Sequence, residues 1–152
     1  LPTMGGDTVF ASMYAAYEAL SDRMKAYLEG LTATHEGKLA FGRFNPDGKF
    51  PVAVHPVIRT HPVTGRKVLF VNKGFTARIN AVPDAESAAI LQFLFHHCEN
   101  AYFQVRFRWE PHSVAFWDNR CTQHLAIWDY YPQLRSGFRV QIADKGGPKE
   151  SA

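Results

Sequence analysis

The chain has 152 residues, 46% hydrophobic and 14% aromatic, with a net charge of +3 and two cysteines, Cys98 and Cys121. That composition is ample for one packed core; the basic residues are scattered rather than striped, which excludes a nucleic-acid partner, and no apolar run reaches the length that spans a membrane. Two isolated cysteines exclude a disulfide framework and suit a reducing, cytoplasmic setting, while mild positive charge suits small anionic substrates.

Residues 2–7 read as a loop, with Gly5-Gly6 opening conformations other residues avoid. A short strand follows at Thr8-Val9-Phe10. Ser12 and Ser21 are helix N-caps, which predicts helices over Met13–Leu20 and Asp22–Leu31. In the second, Met24, Leu28 and Leu31 share an inner face, with Lys25 and Glu29 one turn apart outside. His35–Gly48 reads as irregular, with Phe41 inside it. Val52–Arg59 and Lys67–Asn72 are β-rich, and the HPVTGR turn between them predicts a hairpin. Pro83 opens a helix to His97, with Ala88, Leu91, Leu94 and Phe95 as its buried face. Phe103, Val105, Phe107 and Trp109 alternate with polar residues, the pattern of a half-buried strand. Ser113–Trp117 and Gly137–Ile142 read as two further strands, and Lys145–Ala152 as a polar tail. No repeat or linker divides the chain, so one domain over 1–152 is expected.

The stretch from Trp117 to Arg139, WDNRCTQHLAIWDYYPQLRSGFR, carries the chemistry. His124 is followed by Arg135 and Arg139 beyond a turn. An imidazole can bind a transition metal, and a guanidinium can grip a carboxylate or sulfonate through paired hydrogen bonds. From the residues alone, a hydrogen-bonded core histidine and two surface arginines are the better reading. His97-Cys98-Glu99 is formally an HxE motif, but positions i and i+2 of a helix point apart and cannot share a metal. His55, His61, His96 and His112 lack partners at ligand spacing and are read as structural or exposed.

The WDNR-x-TQH run resembles the C-terminal signature of the iron(II)/2-oxoglutarate-dependent dioxygenases of the taurine dioxygenase family. The resemblance extends through HPVIRTHPVTGRKVLFVNKGFTARI, ESAAILQFLF, MYAAYEALS and GGDT, in order over most of the chain. It implies a mainly β fold with flanking helices, a double-stranded β-helix of the jelly-roll type. It implies iron(II) as cofactor with His124 as one ligand. It further implies 2-oxoglutarate as cosubstrate, its distal carboxylate held by Thr8 and Arg135. Arg139 would face the anionic group of a small substrate, with Phe41 and Phe75 walling the pocket. The implied reaction consumes oxygen and hydroxylates the carbon next to that anionic group; taurine or a related sulfonate is the expected substrate. The family's HxD motif, which supplies the other two iron ligands, would lie before residue 1, so the chain is expected to be the C-terminal part of a longer jelly roll. The competing expectation is a non-catalytic relative that binds small anions without iron. A homo-oligomer is compatible with the resemblance, and no sequence feature sets the oligomeric state.

Overall fold

The computed structural model describes residues 1–142, and the expected tail lies outside them. In chain order the elements are β1 (Thr8–Ser12), α1 (Met13–Glu18), α2 (Asp22–Leu28), β2 (Thr32–Glu36), α3 (Gly37–Phe41), β3 (Val52–Pro56), β4 (Ile58–Thr60), β5 (Lys67–Leu69), β6 (Thr76–Ile79), α4 (Asp84–Cys98), a 3-10 turn (Ala101–Phe103), β7 (Gln104–Phe107) and β8 (Thr122–Ala126). The strands form three antiparallel sheets, ordered β7-β1-β8, β3-β2-β6 and β4-β5. In each three-stranded sheet the central strand comes first in sequence and is flanked by later ones, so the pairing is long-range, as in jelly rolls.

The helices start where the sequence places their caps. Ser12 Oγ accepts from the Ala15 amide at 3.3 Å and Ser21 Oγ from the Met24 amide at 3.2 Å. Both satisfy amides that a helix start leaves unbonded. Between the sheets lies a core that includes Met13, Ala16, Leu20, Leu28, Val57, Leu69, Ile79, Leu91 and Leu94, all buried. The α2 face behaves as expected, with Leu28 buried and Met24 and Leu31 packed beside it. Lys25 and Glu29, however, do not pair with each other. Lys25 Nζ donates to the Glu18 carbonyl at 2.9 Å, and Glu29 accepts from Lys67 at 2.8 Å.

Several expectations are corrected. His35 belongs to β2, the central strand of its sheet, and Gly37–Phe41 is helical, so the segment is ordered before its loop begins. The hairpin is confined to β4 and β5. Val52–Pro56 pairs with β2 instead, because the Val57 amide turns to the Leu31 carbonyl at 2.9 Å and separates β3 from β4. On α4 the buried face is Ser87, Leu91, Leu94 and Cys98; Ala88 is exposed and Phe95 only half-buried. Ser87 is inside because its Oγ accepts from the Ile79 amide at 2.8 Å, joining α4 to β6. The strand expected over Phe103–Trp109 is shortened to Gln104–Phe107, and Val105 on its apolar face is 61% exposed. Ser113–Trp117 and Gly137–Ile142 have no ladder partner among the described residues and are irregular. An apolar alternating run is not enough to make a strand without a partner edge.

His35 is buried, and its Nε2 has no hydrogen-bond partner among the described residues. Its Nδ1 lies 3.3 Å from Thr76 Oγ1; His55 packs edge-on against the ring and Phe70 lies tilted against it. Burial, then the positive charge of His55 and Arg59, pushes its pKa down to about 4. The unfolded chain therefore takes up this proton near pH 6.5 while the folded chain does not, so stability is full above that pH and falls as pH drops toward 4. The loss from this one group reaches about 3 kcal/mol. His35→Phe is expected to flatten that part of the stability–pH curve, as measured by urea unfolding between pH 7 and pH 4.5; an unchanged slope would show that His35 is not the group responsible.

Candidate active site

Strand β1 is the spine of the site. Its register sets Thr8 opposite Phe107 and Ala126, and Phe10 opposite Val105 and His124. Side chains two apart on a strand share a face, so Thr8, Phe10, Phe107 and His124 all project from one side of the sheet. His124 is displaced two positions along β8 from the residue facing Thr8, a diagonal of about 7–8 Å. Phe10 and Trp117 flank the imidazole, with ring centroids 6.1 and 4.9 Å away, and its remaining side is exposed. Neither ring nitrogen of His124 has a hydrogen-bond partner among the described residues. Burial against these rings and the nearby charge of Arg139 lower its pKa below the usual histidine value. Both causes favour the uncharged ring, and an uncharged imidazole is the form that can ligate a metal.

The neighbouring end of the same face pairs a threonine with an arginine, groups whose chemistry suits an anion clamp. Arg135 Nη2 donates to Thr8 Oγ1 at 3.2 Å, and its guanidinium lies over the Trp109 ring, 5.7 Å from the centroid. Trp109 Nε1 donates to the same Thr8 oxygen at 2.9 Å. Gly5 and Gly6 bring the chain into this corner with φ of 76° and 72°. A Cβ on Gly5 would stand 2.4 Å from Asp129 Oδ1, and one on Gly6 3.1 Å from Arg135 Cδ, so only glycine fits under the clamp. An ion network ties the corner across all three strands. Arg106, on β7, donates to Asp7 Oδ2 at 2.6 Å and to Asp129 Oδ2 at 3.4 Å, while the Gly6 amide donates to Asp129 Oδ1 at 2.8 Å. Arg106 holds Asp129 below the usual carboxylate range together with the Gly6 amide, the larger cause.

Phe41 and Phe75 meet edge to face with centroids 5.7 Å apart. They meet because the Glu36 amide donates to the Phe75 carbonyl at 2.8 Å, joining the end of β2, which leads into α3, to the start of β6. No ring contact or hydrogen bond among the described residues links this pair to His124. An open cleft of about 530 Å³ runs along the other part of the sheet face, past Phe10, Val105, Phe107, Phe116 and Trp117.

His97 is excluded as a ligand by its packing. Its Nε2 is 2.8 Å from the Ala16 carbonyl, and Phe93 and Phe103 flank the ring. A cluster the sequence did not reveal joins His61, Asp118 and Cys121, whose donor atoms lie within 4.8 Å of one another. It does not fit a cation. His61 Nδ1 accepts from the Val63 and Thr64 amides at 3.3 and 3.2 Å, which leaves Nε2 to donate to Asp118 Oδ2 at 3.1 Å. Arg120 grips the same carboxylate and holds it well below the usual range. The cluster instead pins the loop before β8 to the β4–β5 turn.

The site thus sets a histidine flanked by two aromatic rings beside a threonine–arginine pair on one face of an antiparallel sheet. Residues 1–141 match the taurine catabolism dioxygenase TauD, TfdA family, and the chain belongs to that family. It is 46% identical, over 96% of its length, to a Schizosaccharomyces pombe protein provisionally named an alpha-ketoglutarate-dependent sulfonate dioxygenase. It superposes on a taurine dioxygenase from Burkholderia xenovorans with a TM-score of 0.75 and 43% identity, over 85% of this chain and 44% of that one. It also superposes on AAD-2, solved with Mn(II) and N-oxalylglycine, with a TM-score of 0.79 and 30% identity, over 90% of this chain and 56% of that one. The chain spans 38% of the length of the S. pombe relative.

Asp118→Ala is expected to lower stability by about 2–3 kcal/mol, because it leaves the buried His61 ring without its acceptor and removes the carboxylate that Arg120 grips. Urea unfolding checks this, and zinc added to the unmodified protein should leave the transition where it is.

Proposed function

We propose that the chain supplies the cosubstrate-binding and distal metal-ligand half of an iron(II)- and 2-oxoglutarate-dependent dioxygenase acting on a small anionic substrate, a sulfonate such as taurine by preference. The observation that carries this reading is the Thr8–Arg135 clamp beside His124 on a single sheet face. The separation along that face suits a short dicarboxylate, one end toward the histidine and the other on the clamp. His124 would furnish one iron ligand; the donor chemistry fits, since its imidazole is neutral and unpartnered. When bound, iron activates oxygen and drives oxidative decarboxylation of the cosubstrate coupled to substrate hydroxylation.

The chain's own contributions are binding and orientation. Arg135 grips the distal carboxylate of 2-oxoglutarate in a partly buried corner, where a paired charge counts for more than in water. Arg139 lies near enough to His124 for its charge to act on the ring, and would face the anionic group of the substrate. Phe41 and Phe75 would wall the apolar part of the substrate pocket, and Phe10 and Trp117 keep water from one side of the metal position. The sulfonate preference rests on the relative named for that substrate and on the pairing of Phe41 with Phe75.

Two sets of variants in the natural full-length protein test this reading. His124→Ala should abolish metal-dependent succinate formation, while His97→Ala should leave most of it. Arg135→Ala should raise the 2-oxoglutarate requirement at least about thirtyfold, the low end of losing one partner of a buried charge pair. Arg139→Ala should act chiefly on the sulfonate. Each ligand is titrated with the other saturating; equal effects of both arginine variants on both ligands would mean one shared clamp. Anion binding without iron-dependent turnover would favour the non-catalytic alternative.

A further inference from the structure

A threonine hydroxyl has one O–H to donate and two lone pairs with which to accept. At Thr8 both lone pairs are engaged. Trp109 Nε1 donates to Oγ1 at 2.9 Å, and Arg135 Nη2 donates to it at 3.2 Å. Neither an indole N–H nor a guanidinium can accept, so the hydroxyl proton is the one capacity Thr8 has left. Thr8 is buried, which keeps bulk water from exchanging for either partner.

We propose that Trp109 is a positioning residue of the clamp: its indole N–H fixes the Thr8 hydroxyl as a donor toward the carboxylate that Arg135 grips. The inference rests on the dicarboxylate reading given above. One side chain serves both members of the clamp by two different parts of its ring. The N–H edge, electropositive, meets the Thr8 oxygen; the π face, electronegative, lies under the Arg135 guanidinium at 5.7 Å. The indole is itself held in place, packed edge to face on Phe107 at 4.9 Å, and Phe107 is the β7 residue paired with Thr8. Without the indole N–H, the hydroxyl is free to donate elsewhere and to turn a lone pair toward the incoming carboxylate, which is repulsive.

The test uses the natural full-length protein, loaded anaerobically with Mn(II), and calorimetric titration with two keto acids. 2-Oxoglutarate carries the distal carboxylate; 2-oxobutyrate has the same keto-acid head without it. Trp109→Phe keeps the aromatic face and removes the N–H. It is expected to weaken 2-oxoglutarate about three- to tenfold, one hydrogen bond's worth, and to leave 2-oxobutyrate unmoved. Thr8→Val should weaken 2-oxoglutarate at least as much, and the double variant no more than Thr8→Val alone, since Trp109 acts through Thr8. Replacing Trp109 with benzothienylalanine, the same two-ring shape without the N–H, should reproduce the Trp109→Phe effect and covers the case in which phenylalanine disturbs packing. Loss of affinity for both keto acids alike, or full additivity with Thr8→Val, would overturn the inference. If Thr8→Val weakens 2-oxoglutarate and neither Trp109 replacement does, the inference falls and the dicarboxylate reading stands. If none of the variants weakens 2-oxoglutarate, both fall together.

Discussion

The antiparallel pairing of β1 with β8 is the constraint on which the rest of the structure depends. Five residue pairs, from Thr8 opposite Ala126 to Ser12 opposite Thr122, fix which side chains share a face. Because the side-chain period along a strand is two, a slip of one residue would send His124 to the opposite face from Thr8 and Phe10. Register is therefore equivalent to site assembly here. Both ends of the β8 strand are secured by side chains that take no part in the ladder. Before it, Asp118 receives His61 from the β4–β5 turn and Arg120 from its own loop. After it, Asp129 receives the Gly6 amide from the approach to β1 and Arg106 from β7. A strand held at both ends by charged groups resists the one-residue slip that its modest length would otherwise permit.

The two three-stranded sheets divide the labour. On the β3-β2-β6 sheet, an inner face carries Ala33, His35, Thr76 and Ile79 into the core, and its titratable groups are kept neutral by burial. On the β7-β1-β8 sheet, the corresponding face stays open, with Val105 61% and Phe116 87% exposed. Val105 and Phe116 both line the open cleft on this side. Polar groups on it are few and convergent: one imidazole, one hydroxyl and the arginines that follow β8, the composition of a small-ligand site.

Much of this was legible in the sequence, and the rest was hidden for identifiable reasons. Ser12 and Ser21 mark helix starts because capping is local chemistry, decided within three residues. The GGDT and WDNR-x-TQH runs point to Thr8 and His124 as members of one site, and the sheet register brings them to one face. The strands β2 and β6 were missed because each is short and flanked by polar residues; their β character comes from lying beside a partner more than forty residues away, Thr34 opposite Arg78. Ser113–Trp117 and Gly137–Ile142 show the converse: good strand composition with no edge to pair with. The side chains that brace the site, Trp109, Arg106, Asp129 and His61, carried no spacing signal, since each acts on a residue far along the chain. Alternation did place Trp109 on the face of Phe107, but only the pairing of Phe107 with Thr8 turns that into a contact with the clamp.

The charge arrangement explains why cations can gather at this face without opening it. Arg106 meets two carboxylates, Asp7 and Asp129, and Arg120 meets Asp118, so these guanidiniums are neutralised within the fold and one carboxylate charge is left over beside Arg106. Arg135 is engaged differently. Its hydrogen bond goes to a neutral hydroxyl and its face to an indole, neither of which cancels its charge. The carboxylates thus pair with the bracing arginines, and no ion pair is formed by Arg135 among the described residues. Repulsion between Arg139 and a protonated His124 acts in the same sense, favouring the uncharged ring. The result is a corner in which the Thr8–Arg135 pair and the His124 imidazole share one face of the sheet.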